Sequence, residues 1–302
     1  MQNLHEFRLF YNRTLHPELR KQERTRKQLI FFFIMSISIL ILSGLVVYRV
    51  QMPVIILLTW IPIVAWSSFL GWQIQRFRAD FKPKIVQLIL DFIVHPMTYS
   101  HKAFLPKTRF LQSRFFTTEA PYYKGEDYIA GEIGRLHFEM CELDVRENSK
   151  VGSGSMIPVF RGIFFIAKTK NAFNGEIVIL PKSERPYLSR TIKDLLRRGD
   201  RVLPVKHEGF EDKFLTYVST DANVELIIHE AFFGVLFDFA KRLDKKVYMS
   251  FVEGYIYIGV WEPKDILEPR IFDSNASFKL VKEFYNDLYN IVSVVEDFDR
   301  LH

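Results

Sequence analysis

Cysteine occurs once in 302 residues, at Cys141, which excludes an internal disulfide framework and any multi-cysteine zinc site. The signatures of several enzyme classes are also missing. There is no Gly-x-Ser-x-Gly elbow and no glycine-rich dinucleotide fingerprint. The Gly/Ser-rich stretch at 150–155 (KVGSGS) lacks the closing Lys-Ser/Thr pair and following helix of a phosphate loop, and reads as a flexible turn. His229-Glu230 opens like a zinc-protease helix, but Phe233 stands where that site needs a second histidine one turn on. His95 and His101 lie near each other without a third ligand spaced to join them, so neither a metal nor a cofactor is expected. Cys141 has no local catalytic context and is expected to be buried as a small hydrophobe.

Two long uncharged runs stand out against these absences. Residues 29–48 (LIFFFIMSISILILSGLVVY) and 54–72 (VIILLTWIPIVAWSSFLGW) carry no charged side chain. At about 1.5 Å per helical residue each run reaches roughly 30 Å, the thickness of a hydrocarbon core. Five residues join them, Pro53 suits the first turn of the second helix, and Pro62 lies inside it. The expectation is a two-span transmembrane helical hairpin in contact with the lipid bilayer. Arg20, Lys21, Arg24, Arg26 and Lys27 precede it, Arg76, Arg78, Lys82 and Lys84 follow it, and the connecting turn holds Arg49. Positive-inside bias then places both termini and the C-terminal domain in the cytoplasm. Arg20, Lys21, Arg24, Arg26, Lys27, Trp72, Arg76 and Arg78 are the membrane-interface candidates.

Charge is unevenly divided. Residues 1–84 hold twelve Lys/Arg against four Asp/Glu, whereas residues 85–302 hold 29 against 31. The basicity belongs to the membrane flanks, so a nucleic-acid partner is not expected. The reading along the chain is a basic juxtamembrane segment at 1–28, the hairpin at 29–72, a connecting helix and loop at 73–124, and a cytoplasmic domain at 125–302. That domain is expected to be α+β, with a mixed, largely antiparallel sheet packed with helices.

Apolar spacing predicts a helix leaving the membrane from 85 to 93, and Pro96 and Pro106 end regular structure after it. Strands are predicted at 136–145, 156–170, 176–180 and 202–206, the third returning along the second as a hairpin. A helix is expected at 187–198. The longest soluble helix is read from Asp221, as N-cap, to about Leu243, apolar on so much of its circumference that it is buried on two sides. Residues 247–252 and 255–261 around Glu253-Gly254 form a hairpin. A closing helix is expected from about Ser277 to Glu296. Glu139, Glu142 and Asp144 read as a solvated strand face, and His207, Glu208 and Asp212 are the clustered acid/base candidates.

Several stretches together resemble a known family. These are residues 110–116 (FLQSRFF), 125–134 (GEDYIAGEIG), 159–165 (VFRGIFF), 210–221 (FEDKFLTYVSTD) with Glu225, and Ser250-Phe251 before 255–258 (YIYI), all behind a two-span anchor. They are similar to the bacterial membrane family catalogued as domain of unknown function 3137, some members of which are labelled "galanin". The resemblance implies a bacterial inner-membrane location, no catalytic residue, and a LemA-like membrane protein as partner. The leading functional reading is a non-catalytic interaction or scaffold module. The alternatives are a membrane-proximal hydrolase using His207, Glu208 and Asp212, or a lipid-sensing domain.

Overall fold

The computed structural model describes residues 4–50, 53–93, 97–133, 136–149, 154–169, 174–184 and 188–263, with scattered positions between 274 and 296. The chain divides into two compact units, Met1–Phe92 with Leu267–Glu283, and Ile93–Ile266 with Phe284–His302.

In the first unit, α1 (Leu4–Phe10) passes through a π turn at Tyr11–Leu15 into α2 (His16–Val50), and α3 (Pro53–Ile93) follows. The two long helices lie antiparallel. Phe10 stacks on Phe92 with ring centroids 4.6 Å apart, Glu18 meets Lys84 at 2.6 Å, and Trp66 Nε1 donates to Ser36 Oγ at 2.8 Å. Steps of eight and then eighteen residues up the first helix match equal steps down the second, so one register holds across all three contacts. Residues 276–278 belong to the same unit, where Tyr11 donates to the Ala276 carbonyl at 2.5 Å and its ring meets Phe278 edge-on.

Phe7, Tyr11, Leu15 and Leu19 on one helix, and Phe77, Phe81, Ile85 and Ile89 on the other, recur every four residues and are buried. The segment running from Glu6 to Val46 is long and apolar enough to cross a membrane. The separate helix expected from 85 is the end of α3, which continues through Pro62 and Pro83 to Ile93. From Trp72 to Ile93 it extends roughly 30 Å beyond the uncharged run.

The second unit is α+β. Its strands are β1 (Met97–Ser100), β2 (Tyr122–Ile133), β3 (Leu136–Asn148), β4 (Met156–Lys168), β5 (Ile177–Pro181), β6 (Arg201–Val202), β7 (Phe214–Val218), β8 (Val247–Val252) and β9 (Tyr255–Trp261). Among the described residues they form one antiparallel sheet in the order β1-β2-β3-β4-β9-β8-β5-β7-β6. The β8–β9 hairpin is as expected. Glu253 and Gly254 both have positive φ, 50° and 77°, as a tight two-residue turn matched to strand twist requires. It occupies the place beside β4 where the returning strand was expected, so β5 pairs with β8 and β7 instead. The strand expected at 202–206 shrinks to β6, and β1 joins the sheet upstream of residue 125.

Both faces of the sheet are covered, which is why β5 and β8 are buried along their whole lengths. On one face, α4 (Lys107–Gln112) and the chain after it bring Phe110 against Phe164 and Phe115 and Phe116 against Tyr248. Ser250 Oγ donates to the Ser113 carbonyl at 2.6 Å beneath them, and α5 (Ser189–Arg197) adds Leu195 to the same core. On the other face Phe232 meets Phe251 edge-on. The helix that carries it is shorter than expected. After α6 (Phe210–Lys213) and α7 (Val224–Ile227), Ile228 and His229 are extended and α8 (Glu230–Leu243) begins afresh, with His229 Nδ1 accepting from the Ala231 N–H. His229, not Asp221, caps the long helix, because the break at 228–229 buries Ile227 and Ile228 while freeing a side-chain acceptor. Of the closing helix expected from Ser277 to Glu296, the described positions from Phe278 onward are helical.

Candidate functional site

Three groups of residues bear on function. The first flanks the uncharged runs. Arg20, Lys21, Arg24 and Lys27 are exposed, and Lys21 lies 3.2 Å from Glu18. Arg26 is different: it is buried and held by Glu23 at 2.5 Å. Lys82 is buried too, at 1% exposure, so these two charges work inside the helix pair and not against lipid headgroups. Trp72 is half exposed with the Arg76 guanidinium 5.7 Å above its ring, a pairing suited to a bilayer interface. The side chain of Arg78 is outside the described residues.

The second group is the acid/base trio. Gly209 enters the left-handed region at φ 73°, which turns the chain into α6 and separates His207 and Glu208 from Asp212. His207 lies half-buried against Phe237, ring centroids 5.2 Å apart, and its Nδ1 is buried without a hydrogen-bond partner among the described residues. Glu208 is exposed. Asp212 lines an open cleft of about 320 Å³ with Ser183, Lys213, Asp244, Lys245 and Lys246, a cleft that includes neither His207 nor Glu208. No hydrogen bond or ion pair joins the three to one another. The strand carboxylates are tied individually: Glu139 accepts from Tyr128, Asp144 pairs with Arg146 at 2.6 Å, and Glu142 is buried at 8% exposure.

The third group was not singled out from sequence. An open cleft of about 640 Å³ is lined by Gly175, Glu176, Arg198, Ser219, Asp221, Glu253 and Gly254. Ser219 Oγ donates to Asp221 Oδ1 at 2.6 Å and accepts from the Glu176 N–H at 2.8 Å. Glu176 is bridged by Arg198 on one oxygen and by Arg114, at 3.4 Å, on the other. Gly175 is needed for close approach, since a Cβ there would fall 2.4 Å from the Ala222 backbone, and its φ is 88°. Asp200 sits alongside, and burial raises its pKa; Arg198 opposes the rise, while Glu176 and Asp221 add to it. Burial lowers the Arg198 pKa, but its bond to Glu176 and the charges of Glu176, Asp200 and Asp194 together outweigh this and leave it raised. The available signal was the Ser219-Thr220-Asp221 ending of residues 210–221, a side-chain turn motif at a strand end. Its partners Glu176 and Arg198 come from distant strands and helices.

These features define a class: an α+β domain with a deep two-sided sheet, on a chain that also carries a long membrane-competent helix. Residues 158–300 match the family model described as Protein of unknown function (DUF3137), which supports the family resemblance over that stretch. The match takes in the resembling residues at 159–165, 210–221 and 250–258. No curated protein and no solved structure matches the chain.

The geometry gives the resembling residues structural roles. Phe110, Phe115 and Phe116 fill the core above β4 and β8, Ser250 ties that segment down, and Ser219 and Asp221 order the cleft. Most of them build the fold. Cys141 does the same at 1% exposure, its thiol pushed up to about 12 by burial, which leaves it a protonated, unreactive core residue.

Proposed function

We propose that this protein is a bacterial inner-membrane protein whose α2 and α3 cross the bilayer as a two-span hairpin, holding a non-catalytic interaction domain in the cytoplasm. The observation that carries the reading is the inversion of exposure. Most of the described apolar side chains between 31 and 48 and between 60 and 72 face outward, and those at 7–19 and 77–89 face inward. In water an outward apolar surface of that extent is costly at about 25 cal/mol per Å², and in lipid the cost vanishes. The single antiparallel register supports two spans turning back on themselves, and the basic flanks support cytoplasmic termini. The separation of His207 and Glu208 from the Asp212 cleft favours binding over hydrolysis, since general acid/base work needs both groups within hydrogen-bond reach of one substrate. The partner is another membrane protein, of the LemA-like kind that the family resemblance suggests.

Purification of the tagged full-length protein from its own host in mild detergent tests this. A discrete membrane protein should co-purify in comparable amount, and the preparation should not turn over phosphoester, peptide or glycan substrates. A protein recovered alone, with hydrolase activity lost in His207→Ala or Asp212→Asn, would refute the proposal.

A further inference from the structure

Three chemically distinct metal-ligating side chains meet at the β1–β2 edge of the sheet. His101 follows β1, and Glu126 and Asp127 lie in β2, 25 and 26 residues later. Pairing of Ser100 with Tyr128 and of Tyr99 with Ile129 brings the two segments together. A register shift between Glu126 and Ile129 then turns Asp127 into the left-handed region at φ 58°. One ligand atom from each of His101, Glu126 and Asp127 lies within 4.8 Å of the others.

We propose that His101, Glu126 and Asp127 bind a divalent first-row transition ion, with Zn²⁺ as its representative. The site does not depend on the interaction role proposed above. One imidazole and two carboxylates form a mixed nitrogen/oxygen set that suits zinc-like ions better than Mg²⁺ or Ca²⁺, which prefer oxygen alone.

The surroundings fit this use. Asp127 is 94% buried by the 6% exposure of its residue, and Tyr99 donates to its Oδ1 at 2.5 Å, the outer hydrogen bond that fixes a ligating carboxylate. The Asp127 N–H donates to the His101 carbonyl at 3.0 Å, locking the two segments at the site. His101 and Glu126 are partly exposed, which gives an ion a way in and lets Glu126 swing inward. Tetrahedral coordination with bonds of about 2.0–2.2 Å requires ligand atoms roughly 3.4 Å apart, within reach of side-chain rotation for atoms that already lie within 4.8 Å of one another. His101 Nδ1 already lies 3.0 Å from Asp127 Oδ1, so binding through Nδ1 leaves the ring proton on Nε2. Three protein ligands leave a fourth position for water.

The test uses full-length protein in detergent, stripped with EDTA, exchanged, and titrated with Zn²⁺ against a chromogenic chelator. The proposal expects one saturable ion per chain, bound more tightly than Mg²⁺. His101→Gln and Glu126→Gln should each weaken it by tenfold or more. Asp127→Asn, which tolerates the left-handed conformation, should do the same, and Tyr99→Phe should cost about 10- to 100-fold by loosening the carboxylate. Glu126 is partly exposed, so Glu126→Gln retains the metal-free melting curve of the parent and separates lost ligation from lost fold. Absence of saturable Zn²⁺ binding, or binding undiminished in both Glu126→Gln and His101→Gln, would overturn the proposal.

Discussion

Single side chains set several features that can be checked one at a time. Trp66 and Ser36 make a hydrogen bond in the apolar part of the helix pair, and Ser36 in turn donates to the Phe32 carbonyl. In a double-mutant cycle of Trp66→Phe and Ser36→Ala in detergent, the expected coupling is about 0.6 kcal/mol, the average for such bonds between membrane helices. Asp200 gives a pH signature. Its folded-state pKa is raised by burial, so the protonated form is the better tolerated one. The stabilisation that protonation brings is complete below the ordinary carboxylate pKa of 3.8 and is lost as pH rises through the raised value. Asp200→Asn should therefore raise the melting temperature at pH 7, with the gain shrinking toward pH 3. Glu253 pays for its positive φ, whereas Asn accepts that conformation readily. Glu253→Asn should stabilise the domain by about 0.5–1 kcal/mol in denaturant unfolding.

Among the elements, those with local signals were legible and those dependent on distant pairing were not. The β8–β9 hairpin announces itself through β-branched and aromatic residues around Glu253-Gly254, and α5 through its apolar spacing ahead of Gly199. The place of β5 could not be read, because β8 and β9, seventy residues on, insert beside β4. The break at Ile228–His229 was hidden as well: the apolar stripe continues in sequence through residues that are extended in space. The candidate sites divide the same way. The anchor is visible in composition, while the Ser219–Asp221 cleft and the His101–Glu126–Asp127 group are each assembled by strand pairing across at least 25 residues. The core contact between Phe232 of α8 and Phe251 of β8 is a test of the two-sided sheet. Phe232 is fully buried, and Phe232→Ala should cost about 3–5 kcal/mol in unfolding free energy.

In the whole molecule, the proposed arrangement has a helix pair that changes solvent along its length. Cys141 is buried and its thiol protonated, so it cannot report topology in the folded protein, and the label must sit elsewhere. With Cys141→Ala as background, single cysteines would replace Gln51, which lies in sequence between the apolar runs, and the exposed Asn12 near the N-terminus. An impermeant maleimide applied to intact cells should label the cysteine at position 51, and the one at position 12 only after permeabilisation. Labelling of position 12 in intact cells, or failure to label position 51 until the membrane is opened, would contradict the two-span, cytoplasmic-termini arrangement.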